Sequence, residues 1–578
     1  MKSFPPVSSV PLADGLECKQ RDGHPERIFM NITTEIRERV RSWMPLEDLL
    51  PDHMPAFVRS PAYFFGVVSL SSLVILILSG ILLAAFGPQW WHSNAVGHFV
   101  NSLHFWCAEV FFFSMTLHLW VAFFTGAWRH GRRWTWVSGA TIFLAAIGTA
   151  FTGYLSMTNF SAQWIAAQGK DALNSVGIGA FFNLLNFGQM YGFHIVLLPL
   201  LIVSLIGLHL LQVRIRGIVR PYAPTVEEEH AREAIWSGRG RKKSQTTPLI
   251  PRPRPSDQIS YYRGLRLLPY DLLREGMVAL IAVFVLVVAL AGFLSSPDEP
   301  PLTLQQYAQQ NPVGFVTTAM KELTDTSVIA QYGPPYTQGT SSVQYIGPIS
   351  LQQLAGVTIP IDVAHVYVLD PLAIAAQSDP QVGTLLQTFT RADAKQQADW
   401  EDTYTKALGK ATGSNGQVVV PPSDAGPLPG LMNHLLTLGS SGALDGLLLR
   451  SGGFYQNDFT KPLLFLSEDA LPTKAAQFNL LGSQWGVMNE TGNYPGQAWL
   501  WLYTFWYQIP PYNTSPNADA LVLVTMGLLT AILVAFPFLP YVNRLPYYLG
   551  IHRLIWREYY HDARVEHKIE SASSGSVT

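Results

Sequence analysis

Six windows of the chain, residues 64–86, 110–124, 136–151, 195–213, 277–294 and 520–538, are apolar enough and long enough to cross or nearly cross a bilayer. They predict six membrane-spanning helices in an all-α membrane protein. Two long polar regions, roughly 1–60 and 297–495, interrupt the series, so averaging hydropathy over the chain understates how membranous it is. The expected organisation is a segment before the spans (1–59), a four-helix transmembrane bundle (60–220), a linker (221–262), a fifth span (263–296), a large irregular insertion (297–495), an interfacial helix with the sixth span (496–541) and a tail (542–578). Turn signals such as Gly333-Pro334-Pro335 predict short irregular elements in the insertion, with some helix across 373–399.

Lys and Arg placement orients the spans, because cytoplasmic loops are enriched in them. Arg37, Arg39, Arg41 and Arg59 precede the first span, Arg129, Arg132 and Arg133 follow the second, and Arg214, Arg216 and Arg220 follow the fourth. The loop 87–98 has no Lys or Arg, and 155–189 has only Lys170. This alternation predicts a cytoplasmic N-terminus, linker and tail, and an extracytoplasmic insertion, in a multi-pass protein of the cell (inner or plasma) membrane. No basic-then-apolar leader precedes the first span, so no cleaved signal is expected, and Met30 could serve as an alternative start.

Composition changes this picture little. A net charge of −2 singles out no partner beyond membrane lipid, and no nucleic acid is expected. The two cysteines, Cys18 and Cys107, support no disulfide framework, and no Cys-x-x-Cys-His occurs for covalent haem attachment. Any bound metal must be held by histidine. His365 and His434, single histidines in the insertion, read as ordinary structural or surface residues.

Ionisable side chains inside spans are rare and usually functional. His104 and His118 stand at i and i+14 on the second span, and His194 and His209 at i and i+15 on the fourth. Fourteen positions make nearly four helical turns, so each pair lies on about one face, separated by ~21 Å along the axis. These two spans run in the same direction. His104 therefore faces His194 near the outer side, and His118 faces His209 near the inner side, each facing pair able to ligate one iron axially. Gly66 and Gly80 on the first span, and Gly139 and Gly153 on the third, repeat the i, i+14 spacing. Glycines there either make room for a porphyrin face or simply let helices approach closely.

Residues 60–221 resemble cytochrome b of the quinol-oxidising bc and bf complexes, through Phe65-Gly66, Thr125-Gly-Ala-Trp128 and Trp134-Thr-Trp-Val-Ser-Gly139. The i, i+15 spacing on the fourth span resembles the bf branch. Leu268-Pro-Tyr-Asp271-Leu-Leu273 and Pro537-Phe-Leu-Pro-Tyr-Val-Asn-Arg-Leu-Pro546 resemble the smaller subunit of that branch, which implies a fusion of the two. The resemblance implies two haem b groups, a quinone or quinol substrate, a Rieske-type iron–sulfur protein and a cytochrome c subunit as partners, and a homodimer within a larger complex. It implies that quinol is oxidised near the outer face, with one electron leaving to the iron–sulfur protein and the other crossing both haems to reduce quinone near the inner face. Carried over, Arg214 and Asp271 fall at the inner quinone site, a cation beside the quinone and an acid to deliver protons. Both also suit ordinary interfacial anchors.

The outer site departs from that family. Its Pro-Glu-Trp-Tyr signature is replaced by Gly496-Gln497-Ala498-Trp499, and Gln cannot accept the proton assigned to the glutamate. The turn after the third span reads Gly153-Tyr154-Leu-Ser-Met-Thr158, and Asn101 and Gln189 stand where arginines are expected beside the outer haem. An acid from the insertion, such as Glu490, could substitute. Two other functions remain open: a quinone-reactive di-haem anchor for a non-Rieske dehydrogenase or reductase without electron bifurcation, and a non-enzymatic haem sensor or structural membrane protein.

Overall fold

The computed structural model describes residues 53–223, 227–229, 265–449, 457–481, 491, 494 and 497–574. Six helices are long and apolar enough to cross a membrane: Pro61–Phe86, Ala95–Phe124, Arg133–Ser156, Phe187–Arg216, Leu272–Leu294 and Ala518–Phe538. The chain is an all-α, multi-pass membrane protein. The second span begins at Ala95, well before the apolar window that opens at Val110. Its first turns carry His98, Asn101, Ser102 and His104, which dilute hydropathy yet continue the helix, and the Asn94 side chain caps the start by accepting from Val96 and Gly97 N–H.

The first two spans pack closely on one another, and the third packs on the fourth. The fifth span lies against the first and second, where Ile75, Leu103, Cys107, Val283, Val287 and Ala291 form one buried cluster. Side-chain bonds anchor its far end: Trp106 Nε1 donates to Ser295 O at 2.6 Å, and His92 Nδ1 pairs with Asp298 at 2.6 Å. The sixth span lies against the third, and Trp136 Nε1 donates to Leu533 O at 2.8 Å. The late helices thus pack on different members of the first four.

The region after the fifth span is more helical than its turn signals suggest. Helices Leu304–Gln310, Pro312–Leu323, Pro380–Arg391, Ala394–Leu408, Leu428–Ser440, Thr460–Leu466 and Ala470–Gln477 are among those it contains. Several are short and three have Pro in the first turn, which is why periodicity alone did not mark them. They do not stand apart from the bundle. Helix Phe160–Ser175, in the loop between the third and fourth spans, shares their hydrophobic core, with Phe160, Ala166, Leu184 and Leu185 packed among Leu304, Phe315, Leu463 and Phe465.

On the opposite face the strand His53–Pro55 pairs antiparallel with Leu267–Pro269, and the tail returns to the bundle. Trp556, fully buried, donates from Nε1 to Tyr63 Oη at 2.9 Å and packs with Phe57, Val219 and Tyr222. Beneath it lies a buried ion pair. Arg129 binds Glu229, stacks over the Tyr222 ring at 3.5 Å and donates to Arg220 O at 2.7 Å. Burial alone would raise the Glu229 pKa, but the hydrogen bond with His130 and the Arg129 charge outweigh it and hold it at about 2. This contribution is complete above the ordinary carboxyl value of 4.5 and is lost as pH falls from there towards 2.

Removing one partner of a buried pair strands the other charge. Arg129→Ala is expected to cost about 3 kcal/mol near neutral pH, read as a lower thermal unfolding midpoint in detergent. The difference from wild type should shrink as pH falls below 4.5, because a protonated Glu229 no longer needs the cation.

Candidate functional site

The four intramembrane histidines come together in two facing pairs. The His104 and His194 rings lie 6.2 Å apart, centre to centre, and are nearly perpendicular at 81°. Two imidazole nitrogens on a shared metal, each about 2 Å from it and about 1 Å from its own ring centre, separate the rings by about 6 Å. His209 lies within electrostatic reach of His118 at the other level. The unequal spacings, i+14 on one span and i+15 on the other, have a structural reason. Phe193–Leu197 forms a π-turn in which Leu198 N–H reaches back to Phe193 O, just before Pro199. A π-turn accommodates one extra residue. It therefore returns His194 and His209 to the same relative placement as His104 and His118.

All four predicted glycines meet the predicted histidines. A Cβ built on Gly80 would lie 3.3 Å from His104, on Gly66 3.1 Å from His118, on Gly139 3.2 Å from His209, and on Gly153 only 2.3 Å from His194. The first and third spans thus act as backing surfaces against which the imidazoles rest.

Hydrogen bonds set the tautomers of three rings. Ser79 Oγ spends its own proton on Ile75 O at 2.8 Å, so at 2.8 Å from His104 Nδ1 it accepts the ring N–H. Ser138 Oγ likewise donates to Thr135 O at 3.0 Å and accepts from His209 Nδ1 at 2.9 Å. His194 Nδ1 donates to Thr149 O at 2.9 Å. In each case the proton resides on Nδ1 and the Nε2 lone pair remains for a metal. His118 Nδ1 is buried without a hydrogen-bond partner. Two of these supports could have been read from the sequence, because Ser79-Gly80 and Ser138-Gly139 repeat the same dipeptide at the two levels. These residues fit a haem at each level: paired imidazoles, 6.2 Å apart at the His104–His194 level, Nδ1 protons fixed on three rings, and glycines that admit close approach.

A cavity surrounds the His104–His194 pair, lined from all four spans and also by Gln497 and Trp499. Asn101 lines it, whereas Gln189 does not; its side chain instead accepts from Asn183 N–H at 2.8 Å. Glu490 and Gly496 lie outside the described residues. Sequence reading passed over Glu109, which lies midway along the second span beside Trp499. Its signal was simply a carboxylate in an apolar helix.

On the tail side, Arg214 ends the fourth span and Asp271 caps the fifth, its Oδ1 accepting from Leu273 N–H at 3.1 Å and Arg274 N–H at 3.2 Å. Both lie within electrostatic reach of Tyr270, another residue the sequence reading missed. Burial and the hydrogen bond to Glu275 push the Tyr270 hydroxyl pKa up. His365 and His434 stand in the inserted region beside Asp370 and Asp379 and belong to neither level.

Residues 109–301 match the family described as cytochrome b (N-terminal)/b6/petB. The chain is similar to cytochrome b6 of Heliobacterium mobile, 25% identical over 197 residues, covering 30% of this chain and 92% of that protein. It is 30% identical over 192 residues to the menaquinol:cytochrome c reductase cytochrome b subunit of Geobacillus thermodenitrificans, covering 29% of this chain and 84% of that one. It is 35% identical over 189 residues to the cytochrome bc1 complex cytochrome b subunit of Mycobacterium bovis, covering 26% of this chain and 34% of that one.

The glycine contacts rank the cost of adding a methyl group. Gly153→Ala, with 2.3 Å to His194, is expected to destabilise by about 2 kcal/mol or more, and Gly80→Ala, with 3.3 Å to His104, by clearly less. Thermal unfolding of the two purified variants checks the order.

Proposed function

We propose, because this chain belongs to the cytochrome b family, that it is the haem-bearing subunit of a bc-like quinol oxidoreductase which moves electrons across the membrane between two quinone sites. His104 and His194 would hold one haem b, and His118 and His209 the other, with Gly66, Gly80, Gly139 and Gly153 admitting the porphyrins. Bound there, the two groups supply one-electron transfer between the membrane faces. The chain's own part is to hold the imidazoles at two depths, to fix their tautomers and to keep water from the bundle. The observation that supports this reading best is the 6.2 Å facing pair repeated by a second pair about four turns away.

In this reading the quinol is oxidised on the side of the insertion, beside the His104–His194 pair, and the quinone is reduced on the tail side near Arg214, Tyr270 and Asp271. The tail side would face the cytoplasm, with the protein in the plasma or inner membrane, a reading that the basic loops support. A Rieske-type iron–sulfur protein and a cytochrome c subunit would complete the assembly, as a homodimer. The Gln497 side chain favours a second reading, a di-haem anchor that relays electrons to a non-Rieske partner, since an amide cannot take a quinol proton.

Purification of the native assembly separates the two. A dithionite-reduced difference spectrum should show two b-type haems, a quinol should reduce them, and an iron–sulfur protein should co-purify. A molybdenum or other non-Rieske partner would select the second reading. His118→Ala or His209→Ala should remove one haem and leave the other, halving the haem content per chain; a colourless wild-type protein, or unchanged bands in both variants, would overturn the assignment.

A further inference from the structure

Glu109 stands midway along the second span, Ala95–Phe124, between the two histidine levels. The other carboxylates on the six spans, Glu275 and Asp519, sit in the first turns of their helices, at the membrane boundary. A carboxylate at depth is costly and is kept where it does something. Phe105, Ala108, Glu109 and Phe112 follow one helical face at i, i+3, i+4 and i+7. Phe105 and Ala108 line the cavity around His104 and His194, and Phe112 stacks on Trp499 with ring centres 5.6 Å apart. Glu109 lies beside the Trp499 indole, whose N–H donates to Gln497 Oε1 at 2.9 Å. Trp499 and Gln497 close the same cavity. One carboxylate, one indole and one amide therefore meet at its edge, and only the carboxylate can take up a proton.

We propose that Glu109, beside Trp499, is the proton acceptor for a quinol bound at the edge of the His104–His194 cavity. The inference rests on the quinol-oxidising reading. Oxidation to quinone releases two protons and two electrons. The electrons leave to two one-electron acceptors, the ferric haem proposed at His104 and His194 and an iron–sulfur protein on the insertion side. The first hydroxyl broken gives its proton to the Glu109 carboxylate, and the second gives its proton to water. Trp499 positions the carboxylate at the cavity edge.

The native complex carrying Glu109→Gln tests this. Its dithionite-reduced spectrum should match wild type, while quinol-driven haem reduction slows about 100-fold and loses its rise with pH. Redox-induced infrared difference spectra should lose the carbonyl stretch of a protonated carboxylic acid, a readout that a merely structural residue would not move. Trp499→Phe gives an independent reading: it keeps the stack on Phe112 but alters the edge beside the carboxylate, and should shift that carbonyl stretch. A quinol-reducible wild type with unchanged rate, pH profile and infrared spectrum in E109Q overturns the assignment of Glu109 alone, as does an unmoved carbonyl stretch in W499F. A wild-type complex that dithionite reduces but no quinol reduces overturns the quinol reading and this inference with it.

Discussion

Four imidazoles pressed between helices, in hydrocarbon, set the terms for everything else in this protein. A buried imidazole needs partners for both ring nitrogens, and water is not available to supply them. Here Ser79, Ser138 and the Thr149 carbonyl satisfy Nδ1 on three rings, which leaves each Nε2 lone pair for another partner. The backing glycines are the other half of this arrangement. Their missing side chains let the first and third spans approach the rings to within about one van der Waals contact.

The helical period converts this local chemistry into a path. On the second span the i, i+14 spacing holds two rings on about one face, roughly 21 Å apart along the axis. The fourth span carries Pro199 and one more position between its histidines, and it keeps pace only through the π-turn at Phe193–Leu197. A helix defect and a sequence spacing that look like separate irregularities are therefore one feature, and each compensates for the other.

The fifth and sixth spans and the inserted region do more than add mass. The fifth span buttresses the first two, the sixth buttresses the third, and the tail closes the opposite face over the Arg129–Glu229 pair. The insertion shares its core with the loop between the third and fourth spans. Chain that follows the insertion then delivers Gln497 and Trp499 to the cavity around His104 and His194. The chemistry at that edge is therefore decided by two residues from distant parts of the chain, Glu109 and Trp499.

The sequence by itself determined the number of spans, the histidine and glycine spacings and the family resemblance, because hydropathy, the 3.6-residue period and short motifs are all local properties of the chain. Local signals understated the second span, whose polar first turns broke its apolar window although the Asn94 cap and helical bonding carry it further. Only the tertiary structure decided which side chains support the imidazoles, that the insertion is helical and continuous with the bundle, and that Glu109 meets Trp499. Those contacts join positions far apart in sequence, and their energies come from shared burial and hydrogen bonding between helices, which no period along a single helix encodes.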